Sequence, residues 1–333
     1  MSEQKRKLAI YWAASCGGCD IAVLGLQEKI FDLAAAFEIV FWPCVMDAKV
    51  GDVEAMPDKS IDVCLFNGAV RTSEQEFMAR LMRSKARVLV AFGSCAHEGC
   101  IPGLANLATR EQIFDTAYLD ATSTVNPDRV VPQTRSRVDG VTLQLPEFYD
   151  TLKTLGQTVD VDYYLPGCPP ESERVAEVIA AILDGKLPEA GSVIGVDKTV
   201  CDECDRKREE KKLRAFKRTW QVIPDSETCL LEQGLICCGI ATRAGCGALC
   251  PEVNSPCIGC YGPNDGVEDF GARMMTALAS IIDSEDPDEI DRIIHEGIPD
   301  PVGTFYRFSL AASLLRRANR PPEAPAATGR GER

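Results

Sequence analysis

No apolar run in this 333-residue chain reaches the roughly 18 residues that a membrane span requires. The opening Met1-Ser-Glu-Gln-Lys-Arg-Lys7 leads directly into a strand-like run, with neither a signal peptide nor a twin-arginine leader. The expected location is therefore cytoplasmic. Neither G-x-G-x-x-G nor G-x-x-x-x-G-K-[ST] occurs, so no flavin or nucleotide is expected in the chain. Positive charge is also scarce: 36 Lys and Arg face 50 Asp and Glu, for a net charge of −14. Nucleic-acid affinity rests on clustered cations, and that balance excludes it. The one basic stretch, Arg206-Lys-Arg-Glu-Glu-Lys-Lys-Leu-Arg214, contains two glutamates and reads as a solvated helix face in preference to a docking patch for an acidic partner. No internal repeat of fixed period appears. What the chain does have is cysteine, 16 in all. Cytosolic thiols are kept reduced, so these point to metal and not to a disulfide framework.

Hydrophobic content of 45% is ample for a packed core, and the length suits one large domain with a smaller second one. Up to about residue 190, short apolar runs at 7–12, 38–42, 61–66, 87–92 and 159–165 alternate with helical periodicity at 20–35, 73–84 and 171–184. Strand alternating with helix implies βαβ units, and five strands suit a flavodoxin-like doubly wound parallel sheet. Segment 100–158 fits less well, with a helix expected near 103–119 and irregular chain beyond. Pro188, Gly191 and Gly195 mark a linker around 186–200. Residues 201–265 are rich in Cys, Gly and Pro and short of long apolar runs. Such text needs inorganic staples to hold a fold. Helical periodicity returns at 268–283, 287–296 and 305–317. The expected organisation is α/β: a flavodoxin-like domain (1–190), a small irregular and α-helical iron–sulfur domain (191–318), and a disordered tail (319–333).

Twelve of the sixteen cysteines fall into three groups of four. In an open parallel sheet, ligands bind beyond the carboxyl ends of the strands. Cys16 and Cys19 follow the first strand, Cys95 the fourth and Cys168 the fifth, so all four belong to one edge. Glycines 17, 18, 93 and 167 let backbone approach an inorganic core closely. By residue type alone, four thiolates hold zinc or a [4Fe–4S] cube equally well. Structural zinc usually uses two nearby Cys-x-x-Cys knuckles, and the dispersed arrangement favours a cluster. Downstream, Cys201, Cys204, Cys229 and Cys237 form a second set, and Cys246, Cys250, Cys257 and Cys260 a third. Cys250-Pro251 is similar to the ferredoxin pattern in which Pro follows a cluster ligand. A zinc-stabilised interaction module would need three structural metals with no evident use.

These motifs resemble the small, electron-transfer subunit of [NiFe] hydrogenases. Cys16-Gly-Gly-Cys19-Asp20, Gly93-Ser-Cys95 and Gly167-Cys168-Pro-Pro170 match the proximal-cluster ligands shared with a relative in respiratory NADH dehydrogenase. That relative has adjacent cysteines where this chain has Cys-Gly-Gly-Cys, so the hydrogenase branch is preferred. The resemblance assigns Cys201, Cys204, Cys229 and Cys237 to a distal cluster, and Cys246, Cys250, Cys257 and Cys260 to a medial one. Exported hydrogenases carry a histidine at the position of Cys201 and a proline near Cys250; cysteine at both implies three [4Fe–4S] clusters here. Phrases such as Phe41-Trp-Pro43, Cys229-Leu-Leu-Glu-Gln-Gly234 and Pro256-Cys-Ile-Gly-Cys-Tyr-Gly-Pro263 are most similar to the cytoplasmic methyl-viologen-reducing type. The partners this implies are a nickel–iron large subunit, holding the catalytic site, and a [2Fe–2S] subunit that feeds heterodisulfide reductase. A deazaflavin-coenzyme-reducing cousin shares the architecture; there an aspartate can replace a proximal thiolate, and Asp47 is the candidate, ranked behind the four cysteines.

The remaining cysteines, Cys44, Cys64 and Cys100, are expected to pack as small hydrophobes. Cys238 could substitute for its neighbour Cys237, although the family pattern places the ligand first. A structural role is expected for His97 over cluster tuning, and a surface place for His295. The acidic run 283–291 reads as a loop entering a helix N-terminus, where carboxylates suit the dipole.

Overall fold

A computed structural model describes residues 5–209 and 211–315; the expected tail at 319–333 lies outside them. Five parallel strands form the central sheet: β1 (Arg6–Trp12), β2 (Phe37–Phe41), β3 (Ile61–Asn67), β4 (Ala86–Phe92) and β5 (Tyr163–Leu165), in the order β2-β1-β3-β4-β5. The order reverses after β1, so the loops leaving β1 and β3 flank a topological switch point. The middle strands are apolar on both faces because helices cover both. Leu8, Ile10, Val63, Leu65, Val90 and Phe92 face one layer, with Val23, Leu33, Val175 and Val178 against them. Ala9, Cys64, Phe66, Leu89 and Ala91 face the other, against Val53, Met78 and Met82. Each large aliphatic or aromatic side chain so buried contributes about 2 kcal/mol.

The helical stretch expected at 20–35 is two helices, Gly18–Leu24 and Lys29–Ala36. Gly25 ends the first, and Gln27 takes a positive φ of 54°, which no continuous helix permits. Helix Ser73–Lys85 begins at a capping box in which Thr72 and Gln75 satisfy each other's backbone N–H groups. The expected helix at 103–119 is broken into Cys100–Gly103, Leu104–Leu107, Arg110–Phe114 and Asp115–Asp120. Beyond it, Arg135–Val138 pairs with Val141–Gln144, and Phe148–Lys153 pairs with Val70–Thr72, both antiparallel. Of the run at 159–165 only the last three residues join the sheet.

Residues 186–200 are pinned: Gly191 N–H donates to the Asp162 carbonyl (2.7 Å) and Ile194 N–H to that of Tyr164 (2.8 Å). The described residues of the basic stretch, 206–209 and 211–214, are not helical. Arg206 is buried there, donating to the carbonyls of Pro251 (3.0 Å), Asp225 (2.7 Å) and Thr228 (2.9 Å). A charge that its pattern assigns to a solvated face instead stitches three loops together. Helices Phe270–Ile281 and Pro287–Gly297 follow. The second is capped by Asp286, with Asp288 and Glu289 in its first turn and His295 exposed near its end, as expected. After the short helix Pro301–Phe305 the chain makes turns through residue 315, where a helix near 305–317 was expected; residues 316 and 317 lie outside the described residues. Those turns fold back on the first half: Phe308 packs on Cys95 and Cys100, and Ala311 on Ala69 and Leu152.

Candidate thiol-lined metal centres

The loop after β1 is held by a buried polar network. Buried Asp20 accepts hydrogen bonds from Trp42 Nε1 (2.7 Å) and Asn67 Nδ2 (2.6 Å). Ser15 donates to the Asn67 side-chain oxygen at 3.0 Å. One polar triad therefore ties the Cys16–Cys19 loop to the ends of β2 and β3. After β4, Ser94 plays the same part. Its N–H donates to the Gly167 carbonyl (2.8 Å), its hydroxyl accepts from Gly167 N–H (3.1 Å), and its O–H donates to the Cys260 carbonyl (2.6 Å).

The result is a small hollow lined by Cys16, Cys19, Cys95 and Cys168, with Ser15, Gly18, Ser94, Gly167 and Pro169. All four dispersed cysteines meet there. Glycine is required at 93: its φ is +83°, and a Cβ would stand 2.3 Å from Cys19 Sγ. At Gly167, with φ +129°, a Cβ would strike Pro170 at 2.5 Å. Burial raises the Cys19 thiol well above its ordinary range, with Cys168, Cys16 and Asp20 adding to the effect. Thiols crowded this way become thiolates only around a cation. The donor set is all sulfur and the cradle is kept open by glycine, so the residues present fit an iron–sulfur core.

Cys201, Cys204, Cys229 and Cys237 line a second small hollow, with Val200, Arg206, Arg208, Leu230, Gly239 and Pro251. Burial, then Cys237, pushes the Cys201 thiol up to about 12, against the lowering effect of Arg208. In the third set, burial pushes Cys260 up to about 12, followed by the influence of Cys246, Cys168 and Cys250. Cys257, also pushed to about 12 by burial first, feels Cys237 and Cys260. Cys260 thus stands between its own set and Cys168. Cys257 adjoins the distal set directly, donating its N–H to Cys237 Sγ at 3.3 Å. Among the described residues, no three His, Cys, Asp or Glu side chains close on a point as the ligands of a single ion do.

Cys64 is fully buried in β3, as expected. Cys44, by contrast, is exposed: the turn after β2 carries it outward, so it does not pack as a small hydrophobe. Cys100 is buried, but its Sγ lies 3.5 Å from Cys168 Sγ, beside the first hollow. Cys238 lines a different cavity, with Cys257 and Arg307. Asp47 is outside the first hollow, exposed and ion-paired with Lys49 at 2.5 Å. His97 packs against Tyr164 in a tilted arrangement, with ring centroids 4.8 Å apart, and burial lowers its pKa to about 4. The sequence offered no sign of Glu98, which is buried against Gly262 within the electrostatic reach of Arg243.

Residues 16–182, which span all four dispersed cysteines, match the family described as NADH ubiquinone oxidoreductase, 20 Kd subunit. The iron–sulfur subunit of the F420-non-reducing hydrogenase of Archaeoglobus profundus is 45% identical over 317 residues, covering 93% of this chain and 98% of the relative. This chain belongs to that family of hydrogenase subunits. The corresponding subunit of the F420-non-reducing hydrogenase of Methanothermobacter marburgensis is 35% identical over 94% of this chain and 96% of its own length. More distantly, the delta chain of sulfhydrogenase 2 of Pyrococcus furiosus is 27% identical over 84% of this chain and 95% of its own. A [NiFe] hydrogenase small subunit of the methyl-viologen-reducing type is thus a component of an oxidoreductase complex. No helix among the described residues is long and apolar enough to cross a membrane.

Proposed function

We propose that this subunit conducts electrons from H2 oxidation at a separate nickel–iron large subunit to an acceptor module, through three [4Fe–4S] clusters. Cys16, Cys19, Cys95 and Cys168 hold the proximal cluster. Cys246, Cys250, Cys257 and Cys260 hold the medial one, and Cys201, Cys204, Cys229 and Cys237 the distal one. When bound, each cluster gains or loses one electron with little reorganisation.

The observation that carries this reading is the physical continuity of the three sets. Ser94 binds the Cys260 carbonyl directly, joining the proximal loops to the medial loop. Cys257 N–H binds Cys237 Sγ, joining medial to distal. Neighbouring sets are therefore joined by a direct hydrogen bond at two successive points. Cys16 is exposed, and the helix that follows it and the turn after β2 carry the exposed apolar side chains Ile21 (65%), Leu24 (44%), Val45 (56%) and Met46 (36%). Those side chains suit burial against a large subunit. At the other end, a cavity beside Cys201, Cys229 and Cys237 is lined by Arg208, Lys211, Lys212, Leu231 and Ile240. Its cationic lining suits an acidic electron acceptor, and a [2Fe–2S] subunit feeding heterodisulfide reductase is the acceptor proposed.

In the test, Cys257→Ser is introduced into the complex. Electron delivery to viologen falls while H2/D2 exchange by the large subunit is spared; equal loss of both contradicts the relay. Anaerobic analysis of the chain should give about twelve iron with matching acid-labile sulfide, and zinc without sulfide contradicts the cluster assignment.

A further inference from the structure

Beside the proximal hollow lies a fifth thiol that the four-cysteine set does not use. Cys100 is 0% exposed, and its Sγ lies 3.5 Å from Cys168 Sγ. Phe308 packs with Cys95 and Cys100 in one buried group, and the partly buried Cys168 packs against it. The position of this side chain is also held by the backbone. Gly99 turns through a φ of +90°, Cys100 itself adopts a φ of +49°, and its N–H is fastened to the Phe308 carbonyl at 2.9 Å. A non-glycine residue in the left-handed region carries a local cost, and a thiol with no role beyond filling space gives no reason to bear it.

We infer that Cys100 is a positioning residue of the proximal centre: its thiol donates an S–H···S hydrogen bond to the Cys168 thiolate and so sets the potential of the cluster that Cys168 holds. The direction of donation follows from the chemistry. A ligating sulfur is deprotonated and can only accept, whereas a protonated Cys100 has one proton to give. Hydrogen bonds to ligand sulfurs are among the factors that set iron–sulfur potentials. The reduced cluster carries one more negative charge, so a donor favours it and raises the potential. No bond is made or broken and no electron leaves Cys100.

This inference rests on the cluster assignment above. The experiment is a redox titration of the assembled complex, followed by electron paramagnetic resonance, with the proximal signal identified by its loss in Cys16→Ser. In Cys100→Ala the reduced-to-oxidised ratio at fixed ambient potential should fall about tenfold, a shift of about 59 mV for a one-electron couple. Cys100→Ser, which keeps a donor, should restore most of that ratio. A second reading needs no variant: native complex reconstituted in D2O should show an exchangeable deuterium coupled to the proximal signal. An unchanged ratio in Cys100→Ala, equal shifts in the Ala and Ser variants, or no coupled deuterium in the native complex would each overturn the hydrogen bond while leaving the cluster in place. If native complex shows no signal that Cys16→Ser removes, the cluster assignment falls and this inference falls with it.

Discussion

Gly93 is the point at which one methyl group should remove one cluster and leave the others. An alanine Cβ there would stand 2.3 Å from Cys19 Sγ, where ordinary contact begins at 3.4 Å. The sulfur would have to retreat by about 1 Å, the difference between those separations. It has little room to do so. Cys19 is buried in helix Gly18–Leu24, whose neighbour Asp20 is bonded to Trp42 and Asn67. With φ +83° and ψ 162°, Gly93 sits in a region almost confined to glycine, which adds a backbone cost of about 1–3 kcal/mol for an L side chain. Gly93→Ala should therefore displace a proximal ligand, and iron per chain should fall from about twelve to about eight, with circular dichroism near native. H2-driven viologen reduction should be lost. Gly51→Ala is the control, because nothing lies within 4 Å of its Cβ position, and its iron content should be native. Full iron and unimpaired electron delivery in Gly93→Ala would refute both the close approach and the assignment of Cys19.

Ser94→Ala removes the hydroxyl that accepts from Gly167 N–H and donates to the Cys260 carbonyl, leaving buried partners unsatisfied at a cost of about 1–3 kcal/mol. The expected result is a lower thermal midpoint and slower reduction of the medial signal in freeze-quench experiments; an unchanged rate would argue against coupling through this contact. Glu98 is pushed up to about 8, by burial first and against the lowering effect of Arg243, and its Oε2 has no hydrogen-bond partner among the described residues. The folded chain therefore keeps a proton that the unfolded chain releases near pH 4.5, and stability should decline as pH rises from about 4.5 through about 8. Glu98→Gln should flatten that slope in thermal unfolding at successive pH values. An identical slope in both proteins would assign the pH dependence to other groups.

The sheet was legible because its strands are apolar on both faces and its helices carry a 3.6-residue period. The order of events along the chain then placed Cys16, Cys19, Cys95 and Cys168 at one edge, although about 150 residues separate the first from the last. Local breaks were less visible. Nothing in the apolar pattern at 20–35 announces the left-handed Gln27, and the hairpin at 135–144 is exposed, so it lacks the half-buried alternation that marks a strand. The basic stretch misled for a different reason. Charge pattern reports what a residue prefers, whereas Arg206 obtains its partners from carbonyls between 19 and 45 residues away.

Distance along the chain hides the setting of Cys100 in the same way. Its proximity to Cys168 depends on two successive left-handed residues and on a carbonyl supplied by Phe308, more than 200 residues further on. No spacing rule contains that information. The same segment explains why the two halves of the chain are not separable at the proximal centre. Phe308 covers Cys95 and Cys100, while Ser94 holds the Cys260 carbonyl. Residues from beyond 250 thus close the hollow that the sheet opens. A potential set at the first station would then depend on packing supplied by the segment that carries the later ones, and a change at Phe308 should be felt at the proximal centre before it is felt at the distal one.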